Sequence, residues 1–259
     1  MANLSDIPRQ FGGIGRLYGP DGYEKLKKST VMIIGIGGVG SWAAELLARS
    51  GVGKLRLVDL DDVCESNINR QIHATHPEIG KPKISAMRER IQLIAPQCEV
   101  IEHHEFFTQS SSESLLETEP DVIFDAIDSL RHKILLLKLC RRRKIPLLIS
   151  GGAGGRMDPT KIQIEDLART KNDKLLQKMR KELRMKHGFP RDLKKKFGAT
   201  CVYSPELAKL PEEDPESCDP LEKTSRKLDC ETGYGTAGFV TGAFGMAAAS
   251  WIVGKLVKS

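Results

Sequence analysis

The chain has 259 residues, 40% of them hydrophobic and 29% charged, with a net charge of +6. That is apolar material for a full core, which excludes global disorder and points to one large α/β unit or a core with an appended half. The six cysteines (Cys64, Cys98, Cys140, Cys201, Cys218, Cys230) contain no C-x-x-C, which argues against a four-cysteine zinc site. With no secretory signal at the start, we expect a reduced, cytoplasmic setting.

Residues 1–30 read as a polar, glycine-rich arm containing Arg9-Gln-Phe-Gly-Gly and Arg16-Leu-Tyr-Gly. An arginine such as Arg16 is either ordinary surface charge or a side chain reaching a triphosphate in the neighbouring subunit of a dimer. Val31-Met-Ile-Ile then runs into Gly35-Ile-Gly-Gly-Val-Gly40, and apolar residues recur at helical spacing after Ser41. This predicts a buried strand, a tight turn and a helix start. Gly35, Gly37 and Gly40 fit a dinucleotide fingerprint, with Gly38 between them; the glycines let backbone N–H groups and a helix N-terminus meet a phosphate. The motif alone does not separate NAD from ATP.

Lys54-Leu-Arg-Leu-Val-Asp59 alternates like a second strand, and Asp59 stands where an acid would bind ribose hydroxyls. A dehydrogenase explains everything to this point. It does not explain Asp61, Asn67, Arg70, Gln71 and then Lys83, which enters a helix predicted over 81–94. Arg70 can pair bidentately with phosphate oxygens and Lys83 can sit on them as a point charge. A third strand is expected at 98–102 and a fourth over 120–129, ending in Asp128-Ser129. An acid at a strand's carboxyl end can hold Mg²⁺ against phosphates, which makes Asp128 the metal candidate and Asp125 the weaker one. A helix over 131–143, a strand over 145–150 and a second glycine-rich turn, Gly151–Gly155, follow near the same site.

Gly35-x-Gly-Gly-x-Gly40, Asp59-x-Asp61, Asn67-x-x-Arg70-Gln71, Lys83 and Asp125-x-x-Asp128 occur in the order and spacing of the ubiquitin-activating-like adenylating superfamily, which this chain resembles. The resemblance implies a Rossmann-like, doubly wound, mostly parallel sheet and chemistry at the α-phosphate of ATP. It implies that Gly38 contacts the nucleotide, Asp59 binds ribose, Asn67, Arg70 and Lys83 handle the triphosphate, and Asp128 organises Mg²⁺. More particularly, Arg9-x-Phe-Gly-Gly, Val63-Cys-x-x-Asn67-x-Asn-Arg-Gln-Ile-His73, Gly151-Gly-Ala-Gly-Gly-x-x-Asp158-Pro-Thr and Leu228-Asp-Cys230-x-x-Gly-x-Gly235 resemble the tRNA threonylcarbamoyladenosine dehydratases. That likeness implies adenylation of a threonyl carboxylate on tRNA, ring closure to a hydantoin, and loss of AMP. The rival within the superfamily is an activator of a ubiquitin-like or sulfur-carrier protein. Those activators commonly carry two C-x-x-C pairs where this chain has Cys201-Val-Tyr-Ser204 and the lone Cys230, so zinc is not expected.

The ATP-binding core with its N-terminal arm is placed at 1–160 and a distal half at 161–259. Residues 171–196 hold eleven Lys/Arg against three acids, a local +8 (11 − 3) that exceeds the whole chain's +6. We expect a basic helix contacting tRNA phosphates through Lys178, Arg180, Lys181, Arg184, Lys194, Lys195 and Lys196; the alternative is a solvated face. An acidic, proline-rich crossover loop is expected at 205–222, mobile beside the site. Cys230 is a catalytic candidate, though adenylation and cyclisation need no thiol. From Thr232 to Gly254 there is no charge; length would permit a membrane span, but small residues and threonines favour a helix buried on the sheet or across a homodimer interface. The sequence leaves open a bound monovalent cation and a docked sulfur-transfer protein.

Overall fold

The computed structural model describes residues 4–210 and 234–258. Seven strands form one sheet in the order β3-β2-β1-β4-β5-β7-β6. They are β1 Thr30–Ile34, β2 Lys54–Val58, β3 Glu99–His103, β4 Val122–Asp125, β5 Leu147–Ser150, β6 Gln163–Asp166 and β7 Thr200–Tyr203. All neighbours run parallel except β6, which pairs antiparallel with β7 at the edge. The helices are α1 Gly12–Lys28, α2 Gly40–Arg49, α3 Lys83–Ile94, α4 Ser112–Leu115, α5 Leu130–Arg143, α6 Lys174–Lys186 and α7 Gly238–Leu256.

Alternation along the buried strands sorts side chains to two faces. Val31, Ile33, Leu55, Leu57 and Phe124 pack under α1, α2, α3 and α7. Met32, Ile34, Ile123, Leu147 and Cys201 pack under α5 and α6 on the other face. This is the doubly wound, Rossmann-like arrangement expected, and the chain leaves β1 in both directions, to β2 and to β4. That reversal opens a crevice at the carboxyl ends of the strands.

Three elements differ from expectation. The N-terminal arm is mostly α1, kinked at Gly19 (φ 76°) before Pro20 and held by Phe11, Tyr23 and Leu26 in the core. The basic stretch is helical only over Lys174–Lys186; Gly188 (φ 68°) and Pro190 prevent its continuation. The fourth strand stops at Asp125 rather than running to Asp128.

Helix α7 is long and apolar enough to cross a membrane by length and composition, yet 56% of that stretch is buried within the molecule. Its small residues explain how. A Cβ on Gly245 would lie 2.6 Å from Trp42 Cβ and 3.0 Å from the Val39 carbonyl, so α7 seats directly on the start of α2.

Candidate active site

The crevice holds a cavity of about 540 Å³. Each strand delivers its part. The end of β1 supplies Ile34, Gly35, Gly37 and Gly38; β2 supplies Val58, Asp59 and Asp61; the loop after β4 supplies Ala126, Ile127, Asp128 and Ser129. Asn67, Arg70, Gln71 and Lys83 close one side.

The glycine loop is shaped by steric demand. Gly35 has φ +93°, and a Cβ there would meet the Ala126 carbonyl at 2.8 Å. Gly40 does not line the cavity; a Cβ on it would sit 1.9 Å from the Gly35 carbonyl. Gly40 therefore lets the turn close, while Gly37 and Gly38 face the open space at the N-terminus of α2, where unpaired N–H groups and the helix dipole favour an anion.

Asp59 is buried and accepts hydrogen bonds from the Ile36 N–H at 2.6 Å and the Asp61 N–H at 2.9 Å. Those bonds tie the end of β2 to the glycine loop and fix the carboxylate. Burial pushes its pKa above the ordinary carboxylate range, opposed by the two N–H groups and by Lys83. Lys83, only 7% exposed, reaches back from the first turn of α3 to donate to Asp61 Oδ2 at 2.8 Å. Its charge is thereby held against the cavity rather than released to solvent. Arg70 is steadied by Ser66 O at 2.5 Å and Asn69 Oδ1 at 3.0 Å. Asn67 caps its own turn, its Oδ1 accepting from the Cys64 N–H at 3.2 Å. The Gln71 Oε1 atom is buried with no partner among the described residues.

The two acids of the Asp125-x-x-Asp128 motif have separate duties. Asp125 is fully buried and pairs with the equally buried Lys133 Nζ at 2.9 Å; burial raises its pKa and Lys133 opposes the rise. It also accepts from the Ile127 N–H at 3.1 Å, which sets the loop that carries Asp128. Asp128 is exposed in the cavity wall with no cation partner among the described residues. One free carboxylate facing an open cavity beside the glycine loop suits Mg²⁺, which takes one or two protein carboxylates and completes its shell with phosphate and water. Among the described residues no three His, Cys, Asp or Glu side chains converge as a metal site.

Sequence reasoning missed part of the wall. Glu105, Phe106, Phe107 and Thr108, beyond β3, and His132 in α5 also line the cavity; the loop after β3 ends at the same sheet edge, which was the available signal. Thr241 of α7 was also missed: its Oγ1 donates to the Arg70 carbonyl at 3.2 Å, as does Trp42 Nε1 at 3.0 Å. Arg16 lies exposed on α1, outside its own chain's cavity. Gly151–Gly155 does not line the cavity either. That turn is occupied by its own chain: the Gly152 N–H donates to Asp173 Oδ2 at 2.9 Å, and Gly155 bonds to Gly235 O and to the Lys209 N–H, each at 2.8 Å.

In the basic stretch, Lys178, Lys181, Lys194, Lys195 and Lys196 are exposed. Arg180 and Arg184 turn inward instead. Arg180 donates to Thr170 Oγ1 and the Leu167 carbonyl, and Arg184 to the Pro190 carbonyl at 3.2 Å. Burial lowers the Arg180 pKa. Cys230 and residues 211–222 of the crossover loop lie outside the described residues.

The site can be set beside known proteins. The ThiF family profile matches residues 9–259. The chain is 43% identical over 258 residues to tRNA threonylcarbamoyladenosine dehydratase of Haemophilus influenzae, covering 100% of this chain and 97% of that one. The crystal structure of the E. coli tRNA N6-threonylcarbamoyladenosine dehydratase in complex with ATP is 40% identical with a TM-score of 0.85, over 96% of this chain and 94% of that one. The same enzyme's AMP complex gives the same TM-score of 0.85, over 96% and 95%. With this likeness running from the arm before the glycine loop to the last helix, the chain belongs to the ThiF family.

Proposed function

We propose that this chain is an ATP-dependent tRNA threonylcarbamoyladenosine dehydratase. The observation that carries the reading is the convergence of two cations, Arg70 and Lys83, with the free carboxylate of Asp128 across an open glycine loop. A hydride-transfer site has no use for that set; a triphosphate does. The full-length similarity to dehydratases with ATP and AMP complexes supplies the acceptor.

In this reading the N–H groups of Gly37 and Gly38 cradle phosphate, and Asp59, pinned by Ile36 and Asp61, accepts from ribose hydroxyls. Asp128 would hold Mg²⁺, which supplies charge withdrawal from the phosphate oxygens, and Ser129 beside it lines the nucleotide's cavity. The threonyl carboxylate oxygen attacks the α-phosphate and pyrophosphate leaves, its charge met by Arg70 and Lys83. The carbamoyl nitrogen then attacks the activated acyl carbon, its proton is lost, and AMP departs carrying the former carboxylate oxygen. Because nucleophile and electrophile share one side chain, proximity contributes on the order of 7–11 kcal/mol to lowering the barrier.

The remaining assignments belong to the same proposal. The enzyme acts as a homodimer in which Arg16, exposed and outside its own cavity, reaches the partner's triphosphate. Residues 1–160 form the adenylation core and 161–259 the half that meets RNA, through Lys178, Lys181 and Lys194–Lys196. The test is AMP and pyrophosphate release with tRNA carrying threonylcarbamoyladenosine and with tRNA lacking it. Release should require the modified nucleoside, which should lose the mass of one water. ATP–pyrophosphate exchange that ignores tRNA and answers to a Gly-Gly-tailed carrier protein would replace this reading with the sulfur-carrier one.

A further inference from the structure

Residues 130–144 contain seven Lys/Arg and no acid. One of them, Lys133, is buried against Asp125; Arg131, Lys138, Arg141, Arg142 and Lys144 are exposed. Arg131, Lys138 and Arg142 are spaced seven and four residues apart, so they share the outer face of α5. Arg142 shares Glu113 with Arg143, but Arg131 and Lys138 have no carboxylate partner among the described residues. Arg141 lies flat, its guanidinium carbon 4.5 Å from the Phe189 ring centre, bridging α5 to the segment that follows α6.

Helix stability accounts for Arg142, a cation in the last turn, but not for Arg131 and Lys138. A cation in the first turn, where Arg131 sits, opposes the helix dipole, and Lys138 and Arg142 are like charges four apart. Both arrangements disfavour the helix, so the row points to a polyanion outside it. The neighbouring helix carries a matching row. Leu176, Met179 and Leu183 of α6 share a core with Ile134 and Leu137 of α5, and outward from that core α6 exposes Lys174, Lys178 and Lys181. The α5 row begins at the cavity, since Ser129 and His132 line it, and runs about 17 Å along the helix.

We infer that the outer face of α5, from Arg131 to Arg142, is a second phosphate track, along which the RNA strand leaves the cavity beside the lysine row of α6. This rests on the proposal that the substrate is tRNA; it adds where the strand lies. A ribose-phosphate chain fits because the row is linear and cationic, and only its last member, Arg142, is met by a carboxylate, that of Glu113.

The test compares Arg131→Gln/Lys138→Gln, and the same pair with Arg142→Gln added, with Lys27→Gln/Lys28→Gln on α1. Dissociation constants for modified tRNA are measured across a salt series, and ATP binding serves as the folding control. Each lost phosphate contact should lower the slope of log affinity against log salt by about 0.7–0.9. At physiological salt the double variant should bind roughly 20-fold and the triple roughly 100-fold more weakly, with the α1 variant unchanged. Should the triple variant fail to fold, the double, which leaves the Arg142–Glu113 pair intact, decides. A wild-type slope in the double variant, or an equal loss in the α1 variant, overturns the track. Wild-type AMP release on modified tRNA, assayed in parallel, separates the failures: its absence would sink the dehydratase proposal, whereas its presence beside an unchanged slope would sink the track alone.

Discussion

Two glycine-rich turns follow parallel strands in this sheet, and they have opposite fates. The turn Gly35–Gly40, after β1, presents Gly35, Gly37 and Gly38 to an open cavity ringed by Asp59, Arg70, Lys83 and Asp128. Gly151–Gly155, after β5, is filled by its own chain: a Cβ on Gly151 would lie 2.3 Å from Asp173 Oδ2, and one on Gly155 would lie 2.9 Å from Lys209 O and from Tyr234 Cδ1. Both use glycine to bring backbone close to something else. The neighbours decide whether that something is a ligand or the protein itself. Residues around the first turn should therefore govern turnover, and residues around the second should govern stability.

The largest effect should come from Asp128→Ala. Loss of the carboxylate proposed to hold Mg²⁺ should lower AMP release about 1,000-fold, or ~4 kcal/mol, with the melting temperature unchanged. A folded variant with full activity would end the metal assignment. Lys83→Gln should follow at about 100- to 1,000-fold in kcat, as expected when one donor to a developing anion is removed; steady-state kinetics would show it.

Next comes a pH effect. His73 is 2% exposed, neither ring nitrogen has a partner among the described residues, and burial with the Lys83 and Arg90 charges lowers its pKa to about 4. The unfolded chain takes up this proton below its ordinary value of 6.5, so between pH 6.5 and 4 the unfolded state binds more protons. Stability should fall as pH falls through that window, by up to ~3 kcal/mol from this group. Urea unfolding at pH 7 and pH 4.5 should reveal a slope that His73→Phe reduces; an unchanged slope would remove the assignment.

Smallest is Asp173→Ala, which deprives the Gly152 and Leu176 N–H groups of their acceptor. Unfolding should become easier by about 1–3 kcal/mol, with the folded enzyme still turning over. Lost turnover at unchanged stability would break the contrast between the two turns.

The sequence made the catalytic face legible because a doubly wound sheet builds it from local units. Strand, glycine turn and helix start are contiguous at 31–49, and Asp59, Lys83 and Asp128 each stand at or near a strand or helix end, with Arg70 in the connection between β2 and α3. What stayed hidden depends on packing between distant segments. Five glycines and Pro20 in residues 12–28 read as breakers, yet α1 forms because Phe11, Tyr23 and Leu26 are buried. Thr241 gave no sign that it would face Gly38, where a Cβ would lie 3.2 Å from its methyl. Arg180 and Arg184 were indistinguishable from the exposed lysines, because residue type does not reveal which face of a helix a neighbouring loop will cover.

The docking of α7 on the start of α2 also fixes when the site comes into being. The glycine loop is synthesised some two hundred residues before the helix that closes its back and holds the Arg70 carbonyl. At ribosomal rates of about 5–20 residues per second, that interval is roughly 10–40 seconds. A nascent chain thus carries its nucleotide loop unfinished for most of its synthesis, and ATP binding should appear only once the final helix has left the ribosome.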